Sequence, residues 1–287
     1  MHGHHGDEVH EHDRGLSYDL PVLARRRMIR LMAGASLVPL VGCSSEDGPA
    51  ASAPSSQASS SQTSPGGASS PAASGSAECA PIPEETEGPF PGDGSNGVNV
   101  LKESGVVRSD VTRSFGDSAG GTAEGVPLTI TLTVVDAASG CGTPKKGAAV
   151  YIWQCDREGR YSLYNDGVTD ENYLRGVQEA DDQGRVTFKS IFPGCYPGRW
   201  PHVHFEVFGS LADATAARSI TNTSQLALPQ DVSETVYATD GYGESVRNLG
   251  ELSLESDMVF RDGHDQQLAK VTGDVGRGYT ASLTVPV

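Results

Sequence analysis

The sequence predicts an all-β fold over residues 79–287, a β-sandwich with long loops gathered at one end where a site is expected. Three observations carry this. In Val126–Asp136, Leu128, Ile130, Leu132 and Val134 alternate with Thr129, Thr131 and Thr133, the period of a strand with one buried face. Other short runs of β-branched and aromatic residues recur between turn residues. No helical period lasts long enough to build a bundle.

The chain is 287 residues long with a formal charge of −16. No basic stripe is present to neutralise phosphates, which argues against nucleic acid as a partner. At the N-terminus, Arg25-Arg26-Arg27-Met28-Ile29 resembles a twin-arginine export motif. An apolar run, Leu31–Val41, follows and ends in Leu40-Val41-Gly42-Cys43, which resembles a bacterial lipobox with Cys43 as the lipidated residue. Residues 1–43 therefore read as a signal peptide, and the run is too short for an ordinary transmembrane helix. Ser44–Ser76 is Ser, Ala, Pro and Gly with scarcely any large apolar residue, so 44–78 reads as a disordered tether. The expected location is exported, lipid-anchored on the outer face of a bacterial membrane. The membrane contact would be the anchor alone.

The domain, 79–287, opens with a Pro- and Gly-rich arm, Pro81–Val111, expected to pack over it. After the alternating strand, Ala137–Lys146 reads as a loop and Ala148–Cys155 as a strand buried on both faces. Asp156–Gln183 reads as a long irregular stretch holding Tyr161, Tyr164 and Tyr173, and such stretches in compact domains are usually functional. Gly184–Ile191, Trp200–Phe208 and Ser219–Leu228 are strand candidates. Val232–Leu249 has room for a helical turn, and Leu268–Thr272 with Gly278–Val287 reads as a closing hairpin. Cys79, Cys141, Cys155 and Cys195, an even number in an oxidising compartment, allow three pairings among which the sequence does not choose. The absence of CxxC spacing weakens a zinc reading.

The chemistry concentrates in Ile191–Phe208. His202 and His204 leave one face of a strand, while Val203, Phe205 and Val207 leave the other. Tyr196 lies in a Pro-Gly-Cys-Tyr-Pro-Gly turn that can bend its phenol back toward the histidines. Tyr161, just past the buried strand, supplies a second phenol. Phenolates are hard anionic donors suited to a trivalent cation, whose charge would ionise a phenol of ordinary pKa about 10.

These residues sit in a wider pattern. Trp153-Gln154-Cys155-Asp156 with Gly159-Arg160-Tyr161, and Pro193-Gly194-Cys195-Tyr196-Pro197 with Arg199-Trp200-Pro201-His202-Val203-His204-Phe205, resemble the intradiol ring-cleavage dioxygenases, which include the protocatechuate 3,4-dioxygenases and catechol 1,2-dioxygenases. Thr86-Glu87-Gly88-Pro89-Phe90 and Val107-Arg108-Ser109-Asp110-Val111 extend the resemblance over about 79–287.

The resemblance implies a non-haem Fe(III) held by Tyr161, Tyr196, His202 and His204, with a catechol-type molecule and O2 as substrates and a cis,cis-muconate derivative as product. It implies that Tyr196 yields its position to the catechol and takes up a proton. It also implies that Arg199 stabilises negative charge developing on the ring and that Gln225 lies near the reacting carbon. Only Pro197-Gly198 separates Tyr196 from Arg199, fewer residues than in the well-known family enzymes, so the roof of the pocket differs there. No helical dimerisation segment like that of the catechol 1,2-dioxygenases is visible, and a homo-oligomer remains open. The competing reading is a non-catalytic surface lipoprotein that binds aromatics or polysaccharide. That reading has no use for two tyrosines set beside an HxH pair.

Overall fold

The computed structural model describes residues 79–287; the leader with Cys43 and the tether lie outside the described residues. In chain order the strands are β1 (Pro127–Asp136), β2 (Thr143–Pro144), β3 (Ala149–Trp153), β4 (Arg175–Glu179), β5 (Arg185–Ile191), β6 (His202–Phe208), β7 (Ile220–Ala227), β8 (Lys270–Asp274) and β9 (Gly278–Pro286). The helices are α1 (Leu211–Thr215), α2 (Gln230–Tyr237) and α3 (Gly243–Gly250). As the alternation predicts, Leu128, Ile130, Leu132 and Val134 of β1 are buried and the intervening threonines are half-buried.

Two sheets form. In the first, β1 is central: β5 and β2 pair antiparallel with successive parts of one edge, and β9 runs parallel along the other, followed by β8. The second sheet is antiparallel throughout, in the order β4-β3-β6-β7. Between them lies the main core, where Leu128, Ile130 and Phe188 of the first sheet face Ile152, Val203 and Phe205 of the second. The fold is therefore the expected β-sandwich.

A second apolar cluster covers the outer face of the second sheet, where Tyr151 and Trp153 of β3 meet Phe90, Val100, Leu101 and Tyr161. That cover makes every residue of β3 and β6 buried. It comes largely from the N-terminal arm, whose Ile82 N–H donates to the Pro286 carbonyl (2.9 Å) and Glu85 N–H to the Thr223 carbonyl (2.7 Å). A disulfide between Cys79 and Cys141 ties the start of the arm to the loop after β1, while Cys155 and Cys195 are free and buried.

Two readings are corrected. The stretch 156–183 is not wholly irregular, because its end folds as β4. Arg-Gly-Val-Gln-Glu carries one β-branched residue and no alternation, and it becomes a strand by pairing with β3, Val177 opposite Tyr151. Val232–Leu249 holds most of two helices rather than one turn. Their buried faces are short, Val236 and Tyr237 in α2 and Leu249 in α3, too few apolar positions to announce a helical period.

Candidate metal centre

β6 sets the site. With His202 and His204 on the face away from the inter-sheet core, register places Trp153 of β3 and Gln225 of β7 on either side of His204. Trp153 stacks on the His204 ring, centroids 4.8 Å apart and planes 10° from parallel.

The two tyrosines arrive from adjoining turns. Asp156 builds the first: its Oδ1 accepts from the amides of Glu158 (3.0 Å) and Arg160 (2.9 Å), and its Oδ2 from Arg160 Nε (3.0 Å). The next residue, Tyr161, donates its amide to Asn165 Oδ1 (2.6 Å), so the phenol leaves a fixed backbone. The second turn packs directly on the first. A Cβ at Gly194 would lie 2.7 Å from the Arg157 carbonyl oxygen, so only glycine lets the strand-to-strand segment carry Tyr196 this close to Tyr161.

Four donor atoms converge as a result. Tyr161 Oη lies 3.3 Å from His202 Nε2 and 3.4 Å from Tyr196 Oη. Tyr196 Oη is 3.4 Å from His202 Nε2, and the two imidazole Nε2 atoms are 3.0 Å apart. These are the spacings between neighbouring ligands of one ion whose bonds are about 2.0–2.2 Å long. The tautomer agrees: His202 Nδ1 donates to the Trp200 carbonyl, which leaves Nε2 as a lone pair aimed at the cluster.

Electrostatics make the same point. Burial, then the Arg199 charge, hold His202 well below the usual imidazole range, and burial, then His202, do the same for His204, so both rings are neutral, the form in which an imidazole can ligate a metal. Burial, then the neighbouring Tyr196, push the Tyr161 phenol far up. Its ionisation therefore needs a cation at its oxygen, and a trivalent metal meets that need. The donor set fits Fe(III). Among the described residues no group of three or more His, Cys, Asp or Glu is arranged to hold a metal, so a metal held here would need the tyrosines beside the histidines.

Around the cluster, Tyr161, His202 and His204 are each 2% exposed, whereas Tyr196 is half-buried, which puts the opening on its side. The arm closes the opposite side, with Gly88 in the left-handed region (φ +71°), where a Cβ would stand 3.3 Å from His204 Cε1. Arg199 is buried. Its Nη2 donates to Gln225 Oε1 (2.6 Å) and its Nε to Asp257 Oδ2 (3.0 Å). The predicted residues Tyr161, Tyr196, Arg199, His202, His204 and Gln225 are thus brought together. Asp257 was not foreseen, since a lone aspartate in a turn has no local signal. The hydroxyls of Tyr151 and Tyr173 are engaged by the protein, donating to the Pro91 carbonyl (2.7 Å) and to Asp156 Oδ2 (3.3 Å).

Comparison with known proteins agrees with this geometry. A family model described as Dioxygenase matches residues 104–223, the span that holds both tyrosines and both histidines. A solved intradiol ring-cleavage dioxygenase from Tetranychus urticae is 26% identical, with a TM-score of 0.57 over 72% of this chain and 94% of that one. Over this span the chain is similar to the intradiol ring-cleavage dioxygenases, and its sandwich has their fold.

Among curated proteins, the protocatechuate 3,4-dioxygenase beta chain of Burkholderia cepacia is 35% identical over 101 residues, 31% of this chain and 40% of that protein. The catechol 1,2-dioxygenase of Candida albicans is 39% identical over 56 residues, 20% of this chain and 18% of that protein. These matches span less than half the length of the curated relatives.

Proposed function

We propose that the chain is a non-haem Fe(III)-dependent intradiol dioxygenase that inserts both atoms of O2 into a catechol-type aromatic to give a cis,cis-muconate derivative. The observation that carries this is the convergence of two phenol oxygens and two Nε2 atoms at spacings of 3.0–3.4 Å. Tyr161, Tyr196, His202 and His204 would hold the iron. Bound there, Fe(III) would supply a Lewis acid and a template for the catechol.

The chain's own residues account for the rest. Tyr161, sealed and fixed through Asn165, is the permanent phenolate. Tyr196, half-buried at the opening, is the phenol with room to move and to take one catechol proton at Oη. Arg199 has Nε and Nη2 occupied, which leaves Nη1 as a donor toward charge developing on the substrate. Burial of the cluster keeps bulk water from the reacting centre.

Export through the leader and attachment at Cys43 belong to the same proposal, with catechols met outside the cytoplasm. The test is a visible spectrum of iron-loaded protein before and after anaerobic addition of a catechol. A broad tyrosinate-to-Fe(III) band that shifts with catechol is the expected result. Protein that stays colourless after iron reconstitution would sink the reading in favour of a binding lipoprotein.

A further inference from the structure

Arg199 is long, flexible and 4% exposed, and nothing in its own turn fixes where its guanidinium points. Two distant residues do. Asp257, 58 positions along the chain, accepts from Nε at 3.0 Å, and Gln225 accepts from Nη2 at 2.6 Å. We propose that Asp257 is a positioning residue that aims Arg199 Nη1 at the substrate, a role that rests on the function proposed above.

Asp257 is built for that role. Its side chain is completely buried, and its two oxygens accept four protein donors besides any water. Oδ2 takes Arg199 Nε and the Trp200 amide (2.7 Å); Oδ1 takes the amides of Val259 (2.8 Å) and Phe260 (3.2 Å). The carboxylate therefore cannot rotate, and neither can the guanidinium edge it holds. Gln225 fixes the other edge. Its Nε2 donates to the Thr86 carbonyl at 3.0 Å, which forces Oε1 toward Arg199, and its backbone lies opposite His204 in the sheet. The frame Asp257–Arg199–Gln225–Thr86 thus links the turn after α3, the substrate side of the metal cluster and the arm that covers it.

The pairing is also the reason a buried guanidinium is tolerated beside a cation site. Burial opposes its charge, but the Asp257 carboxylate outweighs burial and holds Arg199 ionised, while Arg199 in turn keeps Asp257 ionised against its own burial.

The alternative is that Asp257 only caps the turn at Val259 and Phe260. Asp257→Asn separates the two, because the amide keeps an oxygen for the turn while its NH2 cannot accept from Arg199 Nε. The first readout needs no metal or substrate: the Arg199 Nε–H resonance, assigned by its loss in Arg199→Lys. It should be downfield and slow to exchange in the native protein, and shifted and fast in Asp257→Asn. The second is turnover of iron-loaded enzyme. Arg199→Gln should lower kcat by roughly 100-fold, Asp257→Asn by about 10- to 100-fold with KM changed less than about threefold, and the double variant no further than Arg199→Gln.

Losses that multiply in the double variant, or an Arg199 Nε–H unchanged in Asp257→Asn, would overturn the inference. So would fast exchange of that proton in the native protein, a measurement that does not depend on any variant folding. If Arg199→Gln turns over normally, there is nothing to position and the inference falls while ring cleavage stands. If native protein shows neither the tyrosinate band nor turnover, the functional reading fails instead.

Discussion

Trp153 lies flat on His204, ring centroids 4.8 Å apart, from the neighbouring strand of the same sheet. It forms a wall of the donor cluster and is fully buried, with an indole N–H that finds no hydrogen-bond partner among the described residues. Trp153→Ala should cost about 3–5 kcal/mol of stability and loosen His204, lowering iron content. Trp153→Phe keeps a flat ring and removes the unsatisfied donor, so it should cost about 1–2 kcal/mol and retain iron. Denaturant unfolding and metal analysis of the two variants check both statements.

Tyr161→Phe removes one of the two phenols and little else, since its backbone anchor to Asn165 does not involve the hydroxyl. Turnover should fall to background, and the charge-transfer band of iron-loaded protein should weaken and shift, while Tm stays within a few degrees. An unchanged band would mean that Tyr161 is not a ligand.

Arg175 fastens the arm to the site. Its Nη1 donates to the Pro91 carbonyl (2.8 Å) and the Tyr151 hydroxyl (3.2 Å), Nη2 to the carbonyls of Phe90 (3.0 Å) and Ser162 (2.9 Å), and Nε to Ser162 Oγ (3.1 Å). Phe90 in turn packs on the Tyr161 ring at 5.2 Å between centroids. Arg175→Met would leave three buried carbonyls without this donor and should cost roughly 3 kcal/mol or more. Hydrogen exchange should then show loss of protection over residues 88–92 before the sheets open. Arg175→Lys, lacking the planar fork, should rescue little.

Burial, reinforced by Asp262, raises the Glu85 carboxyl to about 7. The folded state thus binds this proton more tightly than the unfolded chain, so the group's contribution is full below about 4.5 and is lost as pH rises through about 7. Glu85→Gln should raise Tm by about 2–4 °C at pH 8, on the order of 1 kcal/mol for a domain of this size, and change it little at pH 4.5. Melting curves at the two pH values decide it.

The Cys79–Cys141 bridge closes a segment with a sequence separation of 62. Replacing both cysteines with serine should lower stability by about 2–4 kcal/mol, measured by denaturant unfolding against the oxidised parent. Cys155 and Cys195 should resist alkylation in the native protein, because burial pushes both thiols upward, Cys195 to about 12.

Much of this was legible beforehand. The alternation in β1, the continuous apolar run of β3 and the HxH pair of β6 are local patterns, and local patterns survive without tertiary context. β4 was not legible because its strand character comes from its partner. The cysteine pairing was not, because it depends on the arm returning to the loop after β1. Asp257 was invisible for the same reason: its significance lies in an arginine 58 residues away.

What the sequence by itself determined is the set of donors, Tyr161, Tyr196, His202 and His204, and the strand geometry that puts both histidines on one face. A two-residue repeat and a motif are properties of neighbours along the chain. What only the tertiary structure decided is that these donors meet within 3.4 Å, that the arm seals them with Gly88 against His204, and that Arg199 is held between Asp257 and Gln225. Those are contacts across long loops, set by how buried polar groups find partners once the sheets have packed, and no spacing along the chain encodes them.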